Sequence, residues 1–311
     1  MTETSYPNPN PTALGGGTAL RADRDHSSSS RARQRRRIRS VVFHVAVLAI
    51  AVVILYPGVW MLMSTFKPTG DIVGNVNLWP ETWTLDNYVS ALSGIGGISF
   101  WTFVLNSLIL AVGSVVGVVL SATVSAYAFA RISFPGRGVY FAIMIGTMLL
   151  PFHVVIIPQY ILFNSMGMVN TFLPLLAPKF LATEAFFVFL MVQFLRGLPR
   201  ELDEAARIDG CGHWGIFRLV LLPLMRPAVI TSSIFAFIWS WNDFLGPLLY
   251  LKQPDTYPLP IALRMYVDQT SVSDYGAQMA MAVLALLPVL LFFVLFQRYL
   301  VDGVATQGLK G

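Results

Sequence analysis

VVFHVAVLAIAVVILYPGVWMLMSTF, residues Val41–Phe66, holds one histidine and no lysine, arginine or carboxylate. A helix needs about 20 residues to cross a hydrocarbon core. Unpaired backbone groups are so costly in lipid that only helices and closed barrels span it. The stretch therefore reads as a membrane-spanning helix. Five further apolar runs share its character, at roughly 100–130, 139–163, 171–195, 226–250 and 276–301. None shows the two-residue alternation of a barrel strand. The expected fold is all-α, a polytopic membrane protein with six transmembrane helices.

Composition agrees with that reading, since 55% of the residues are hydrophobic and only 12% charged, far from soluble norms. The net charge of +5 arises within residues 1–40, where eight arginines face Glu3, Asp23 and Asp25. The arginines cluster as RARQRRR directly before the first apolar run, a pattern suited to anionic lipid headgroups. No nucleic-acid motif accompanies them, so the expected partner of this charge is the lipid bilayer and not nucleic acid. All but four of the 21 basic residues fall in the N-terminal tail, at Arg131 and Arg137, in the 196–226 loop or at the C-terminus; the exceptions are Lys67, Lys179, Lys252 and Arg264. That asymmetry places both termini in the cytoplasm, as an even number of crossings requires.

Residues 1–40 are expected to form a disordered basic cytoplasmic tail, because the first 30 are rich in Pro, Gly, Ser and Thr and cannot bury a core. The first apolar run is too long for a signal-peptide core and lacks a small-residue cleavage site, so it reads as a retained helix. Residues 41–302 then form the transmembrane domain and 303–311 a short cytoplasmic tail. The single cysteine, Cys211, excludes an internal disulfide and a cysteine-based metal cluster. His44 and His153 lack metal-ligand spacing to another His or Cys.

The longest loop, GLPRELDEAARIDGCGHWGIFRLVLLPLMRP from Gly197 to Pro227, spells two short helices. Pro199 suits a first helical turn, and Glu201, Asp203 and Glu204 favour the helix N-terminus. Arg200 with Glu204 and Asp203 with Arg207 are four-residue pairs expected on an exposed face, while Ala205 and Ala206 offer a closely approachable surface. Gly210 ends the helix. A second helix opens near His213, with Trp214, Phe217 and Leu221 on one apolar stripe, and Leu222-Pro223 turns the chain back toward the membrane. Such a stripe requires either a partner surface or the lipid interface.

Glu204-Ala205-Ala206, Asp209-Gly210, Val220 and Leu222-Pro223, in that spacing, resemble the EAA motif of ABC importer permeases, with Val220 standing where the family has isoleucine. Ser64-Thr65-Phe66-Lys67-Pro68, Asn87-Tyr88, Asn106-Ser107, Ala126-Tyr127-Ala128-Phe129-Ala130-Arg131, Trp241-Asn242-Asp243-Phe244 and the C-terminal Gly308-Leu309-Lys310-Gly311 look like the carbohydrate-uptake branch. The whole is similar to the second permease of maltose and glycerol-phosphate type systems. The resemblance implies the type I importer architecture in a bacterial-type plasma membrane. It also implies a second, different permease, two ATP-binding subunits and an extracytoplasmic sugar-binding protein. Glu204, Ala205, Ala206, Asp209, Gly210, Trp214, Phe217, Leu222 and Pro223 would form the ATPase-coupling surface. No P-loop occurs in the sequence, so ATP and Mg would be bound by the partner ATPase, and this chain needs no cofactor of its own.

Within the spans, Trp239, Trp241, Asn242 and Asp243 combine aromatic, amide and carboxylate groups, either a substrate path or an interfacial aromatic belt. Lys179 and Glu184 are similarly ambiguous, with a structural pair or headgroup contact preferred to a ligand site. Pro151, Pro158 and Pro288 interrupt apolar runs and are expected to kink them. A proton-coupled secondary carrier is the competing class, and it would need titratable groups buried in several helices. No catalytic signature appears in the spans, so an enzyme is not expected.

Overall fold

The computed structural model describes the backbone of residues 19–74, 76–267 and 274–308, and the side chains of 38–74, 76–267 and 274–296. The chain divides into two compact units, residues 1–60 and 61–311. The first is dominated by α1 (Ala19–Ser64), of which Ile38–Ser64 is long and apolar enough to cross a membrane. None of its most apolar window is buried, as expected of a helix that is hydrophobic all round and meets lipid or another chain. The helical backbone starts at Ala19, inside the stretch expected as a disordered tail; residues 1–18 lie outside the described residues.

The second unit is helical, and its one β-type contact among the described residues is a bridge between Ile95 and Ile98. It contains α2 (Thr69–Ile72), α3 (Asp86–Ser93), α4 (Phe100–Arg131), α5 (Arg137–Thr147), α6 (Phe152–Ser165), α7 (Leu173–Phe180) and α8 (Ala185–Arg196). After these come α9 (Glu201–Ile208), α10 (His213–Leu224), α11 (Arg226–Trp241), α12 (Leu245–Tyr250), α13 (Leu259–Met265) and α14 (Tyr275–Gly308). Four stretches span without a sharp bend: Ile38–Ser64, Phe100–Arg131, Leu173–Arg196 and Tyr275–Phe296. Two bent pairs, α5 with α6 at 101° and α10 with α11 at 73°, bring the number to six if each counts as one.

The differences from the expected spans have local causes. The 139–163 run breaks before Pro151, which sits at the start of α6 and has no N–H to continue a preceding helix. Pro158 and Pro288 lie inside continuous helices. The 226–250 run stops at Trp241, turns through Asn242–Phe244 and resumes as α12. At the C-terminus α14 continues through Gly308, so the expected separate tail is largely helix; residues 309–311 lie outside the described residues.

α4 is the central post, and α7, α8 and α11 all pack on it. Lipid gives helices no hydrophobic reason to associate, so they rely on close approach and polar ties. Both are present. A Cβ on Gly117 would lie 2.8 Å from Phe180 Cδ2 and 3.0 Å from Lys179 Cβ. One turn on, Ser121 Oγ donates to the Lys179 carbonyl at 2.7 Å. Two apolar cores fill the unit, one around Tyr127, Met191, Leu195, Phe217 and Leu221, the other around Phe103, Trp241, Leu259 and Met281.

Near the second core the polar signature residues act as clasps. Asn87 Nδ2 donates to the carbonyls of Thr65 and Lys67 at 2.9 and 2.7 Å, while its Oδ1 accepts from Thr69 Oγ1. Asn106 Nδ2 binds the carbonyls of Asp255 and Tyr257, and Ser107 Oγ accepts from the Leu259 amide. Loops that would otherwise bury unpaired backbone groups are thereby satisfied.

Gly117→Leu is expected to destabilise the purified protein by about 1–3 kcal/mol through overpacking, read as a lowered thermal midpoint. Gly58→Leu, where a Cβ would meet nothing within 4 Å, should leave it nearly unchanged. Equal effects would contradict the close α4–α7 approach.

Candidate functional site

The loop after α8 folds as expected into a helix, a glycine stop and a second helix. α9 carries Glu201, Asp203 and Glu204 in its first turn, where the helix dipole favours negative charge. It closes with Asp209 N to Ala205 O at 3.0 Å, Gly210 N to Arg207 O at 3.0 Å and Cys211 N to Ala206 O at 2.9 Å. This closure holds Gly210 at φ +84°, a left-handed conformation that a side chain disfavours.

What sets the orientation of α9 is a buried ion pair. Asp203 Oδ2 lies 3.2 Å from Arg131 Nε at the end of α4, with the two side chains only 8% and 3% exposed. Arg131 Nη2 also donates to the Leu198 carbonyl at 2.9 Å. The Nε–Oδ2 contact is electrostatic more than a well-aligned hydrogen bond, since neither Nε nor Asp203 Oδ1 has a hydrogen-bond partner. The expected surface pairing of Asp203 with Arg207 is therefore corrected: Asp203 turns inward to a guanidinium on another helix, and Arg207 stays exposed.

α10 is seated on the same post. Phe217 and Leu221 are buried, the Phe217 ring 5.2 Å from that of Tyr127, whose Oη donates to the His213 carbonyl at 3.0 Å. Residues Ile216–Leu221 adopt a π-helical turn, a widening often found at functional positions. The aromatic stripe of the sequence is thus split. Phe217 and Leu221 are satisfied within the chain, while Trp214 remains 64% exposed. Ile208 on α9 is 87% exposed.

Of the residues expected to form the coupling surface, Glu204, Ala205, Asp209, Gly210, Trp214 and Pro223 are exposed. Leu222 is half-buried, and Ala206 and Phe217 face the core. The sequence reading did not pick out Ile208, and it did not assign Arg131, Asp203, Tyr127 and His213 as supports of the loop. Arg131 and Tyr127 stand in the AYAFAR run, which was the available signal.

The four in-span candidates separate. Trp239 and Asp243 line a cleft of about 260 Å³ together with Lys179, Glu184, Ser114 and Ser240. Lys179 Nζ and Glu184 Oε1 form an ion pair there. Trp241 points elsewhere, buried with Nε1 donating to the Ala285 carbonyl at 3.2 Å and its ring stacked on Phe237. Asn242 is exposed and bonds back to the Ile238 carbonyl. Two residues of helix rotate a side chain by about 200°, so Trp239 and Trp241 cannot share a face.

These features define a multi-pass helical membrane protein with an exposed short helix held at one end of its bundle. The chain belongs to the family of binding-protein-dependent transport system inner membrane components, whose model matches residues 113–306. It is 33% identical over 265 residues to the arabinooligosaccharides transport system permease protein AraQ of Halalkalibacterium halodurans, covering 84% of this chain and 93% of that one. It is also 33% identical over 270 residues to the diacetylchitobiose uptake system permease protein NgcG of Streptomyces coelicolor, covering 86% and 88%. Its fold matches a chain of a bacterial ABC transporter that imports the acidic polysaccharide alginate, with TM-score 0.76, 23% identity, and 85% and 96% of the two chains covered.

Arg131→Met would leave the Asp203 carboxylate buried and unpaired, an expected loss of about 3–5 kcal/mol. The double variant Arg131→Met/Asp203→Leu should recover most of that loss. Thermal unfolding of these two variants and of Asp203→Leu alone checks the coupling, and strictly additive effects would contradict it.

Proposed function

We propose that this chain is the transmembrane permease subunit of an ABC importer that carries a saccharide into the cytoplasm, with α9 as its coupling helix. The observation that carries the reading is the two-faced build of α9. One face is held by Arg131–Asp203 and Ala206, and the other presents Glu204, Ala205 and Ile208 to solvent. A helix anchored so firmly has no structural need for a bare alanine and isoleucine on its outer side, and these, like the exposed Trp214, suit a protein partner. The EAA spacing and the family support a separate ATP-binding subunit as that partner.

The arginine asymmetry puts α9 and both termini on the cytoplasmic side, where such a subunit would sit. The assembly contains a second, different permease, two ATPase subunits that bind ATP and Mg, and an extracytoplasmic sugar-binding protein. The relatives named for arabinooligosaccharide and diacetylchitobiose transport support a saccharide as solute. A proton-coupled carrier is disfavoured, because the family is one of binding-protein-dependent transport. In this mechanism the ATPases close, pull on α9, and tilt α4 through Arg131 and α11 through the α10–α11 elbow. The solute path then opens outward to the loaded binding protein.

Ala205→Trp places bulk where α9 meets solvent and should leave the chain's stability within about 0.5 kcal/mol. In the reconstituted complex it should lower ATP-driven saccharide uptake at least about tenfold and weaken co-purification of the ATPase subunit. Undiminished uptake and full co-purification would refute the coupling role of this surface.

A further inference from the structure

The cleft holding Trp239 lies at the opposite end of α11 from the elbow with α10, and none of its residues belongs to the α9 surface. Its walls come from α4, α6, α7, α8, α11 and α12. Leu110, Val118, Leu175 and Phe187 make it apolar, yet Lys179, Glu184 and Asp243 bring three ionisable groups to it. Charge inside a span is expensive and ordinarily faces water or a functional cavity. The Lys179–Glu184 pair neutralises itself and is not sealed off, its side chains being 28% and 29% exposed. Among the described residues Asp243 forms no ion pair, and the nearest cation acting on it, Lys179, is already paired with Glu184. The Asp243 carboxylate accepts from backbone amides, Gly246 N to Oδ1 at 3.1 Å and that of Leu245.

Trp239 is built as a platform. Phe186, Phe187 and Phe235 hold its ring with centroids at 5.1, 5.2 and 5.9 Å, while 48% of the residue stays exposed. A rigid indole beside carboxylate acceptors and an ammonium donor matches a pyranose, which has an apolar C–H face and a polar rim. The cleft is smaller than the pockets that enclose drug-sized ligands, so it fits one sugar ring.

We propose that this cleft is a saccharide subsite that this chain itself contributes to the solute path. Trp239 stacks on the apolar face of a sugar ring, Asp243 and Glu184 accept from its hydroxyls, and Lys179 donates to it. Two carboxylates against one ammonium favour neutral sugars and repel uronates. The assignment rests on the reading of the chain as a saccharide importer and adds which subunit touches the solute.

The test uses the full complex with its binding protein in proteoliposomes, in a Cys211→Ser background. Ser240→Cys, on the cleft wall, should react with the hydrophilic thiol reagents methanethiosulfonate ethyltrimethylammonium and methanethiosulfonate ethylsulfonate. The cationic reagent should react about tenfold faster, a preference that Asp243→Asn abolishes. Trp239→Ala should raise KM about tenfold for the saccharide that the binding protein delivers, with Trp239→Phe largely restoring it. A Ser240→Cys thiol inert to both reagents in an assembled, ATP-hydrolysing complex overturns the proposal. So does an unchanged KM in both Trp239→Ala and Asp243→Asn. If no ATPase subunit assembles, the importer reading fails instead, and thiol modification of the permease pair still reports on the cleft.

Discussion

A buried charge pair between two helices is the contact on which the rest of this structure depends. Arg131 closes the last turn of α4, and Asp203 stands in the first turn of α9. Neither is stable there without the other, because a lone charge in that setting would have to be desolvated without compensation. Pairing them makes a surface helix an extension of the central post. A merely apolar contact would tolerate sliding, whereas a guanidinium that also holds the Leu198 carbonyl fixes both the position and the rotation of α9. That rotation in turn decides that Glu204, Ala205 and Ile208 face outward.

The post itself depends on small side chains. Gly117 and Ser121 let α7 approach α4 closely enough for a side-chain-to-backbone bond. α7 thereby carries Lys179 to the cleft, and α11, packed on the same post, carries Trp239 and Asp243. One end of α11 meets α10 at the 73° elbow, and the other end stops where Asp243 lines the cleft. The chain that follows α9 therefore runs through α10 and the elbow to the cleft.

Much of this was legible in the sequence where the signal is local. Apolar runs of spanning length identified the membrane helices, and Gly210 marked the end of α9. Proline marked the break before α6, although the 101° angle depends on packing that no local pattern encodes. The sites were less legible because they depend on tertiary partners. Asp203 and Glu204 are adjacent carboxylates in one helical turn, and only Arg131, far away in sequence, makes the first buried and the second exposed. Phe217 and Trp214 look alike on a helical wheel, yet Tyr127 claims one and leaves the other. Trp239 and Trp241 were grouped by adjacency, and helix rotation sends them to different surroundings. Lys179 and Glu184 form the pair that the sequence suggested, and only the fold brings Asp243 to the same cleft.

The central claim, that the outer face of α9 meets an ATP-hydrolysing subunit, is tested most directly by placing a photo-crosslinking amino acid at Ala205 in cells and identifying what it captures. The account predicts a single major adduct with a P-loop ATPase subunit. Capture of lipid alone, or of an extracytoplasmic protein, would contradict it.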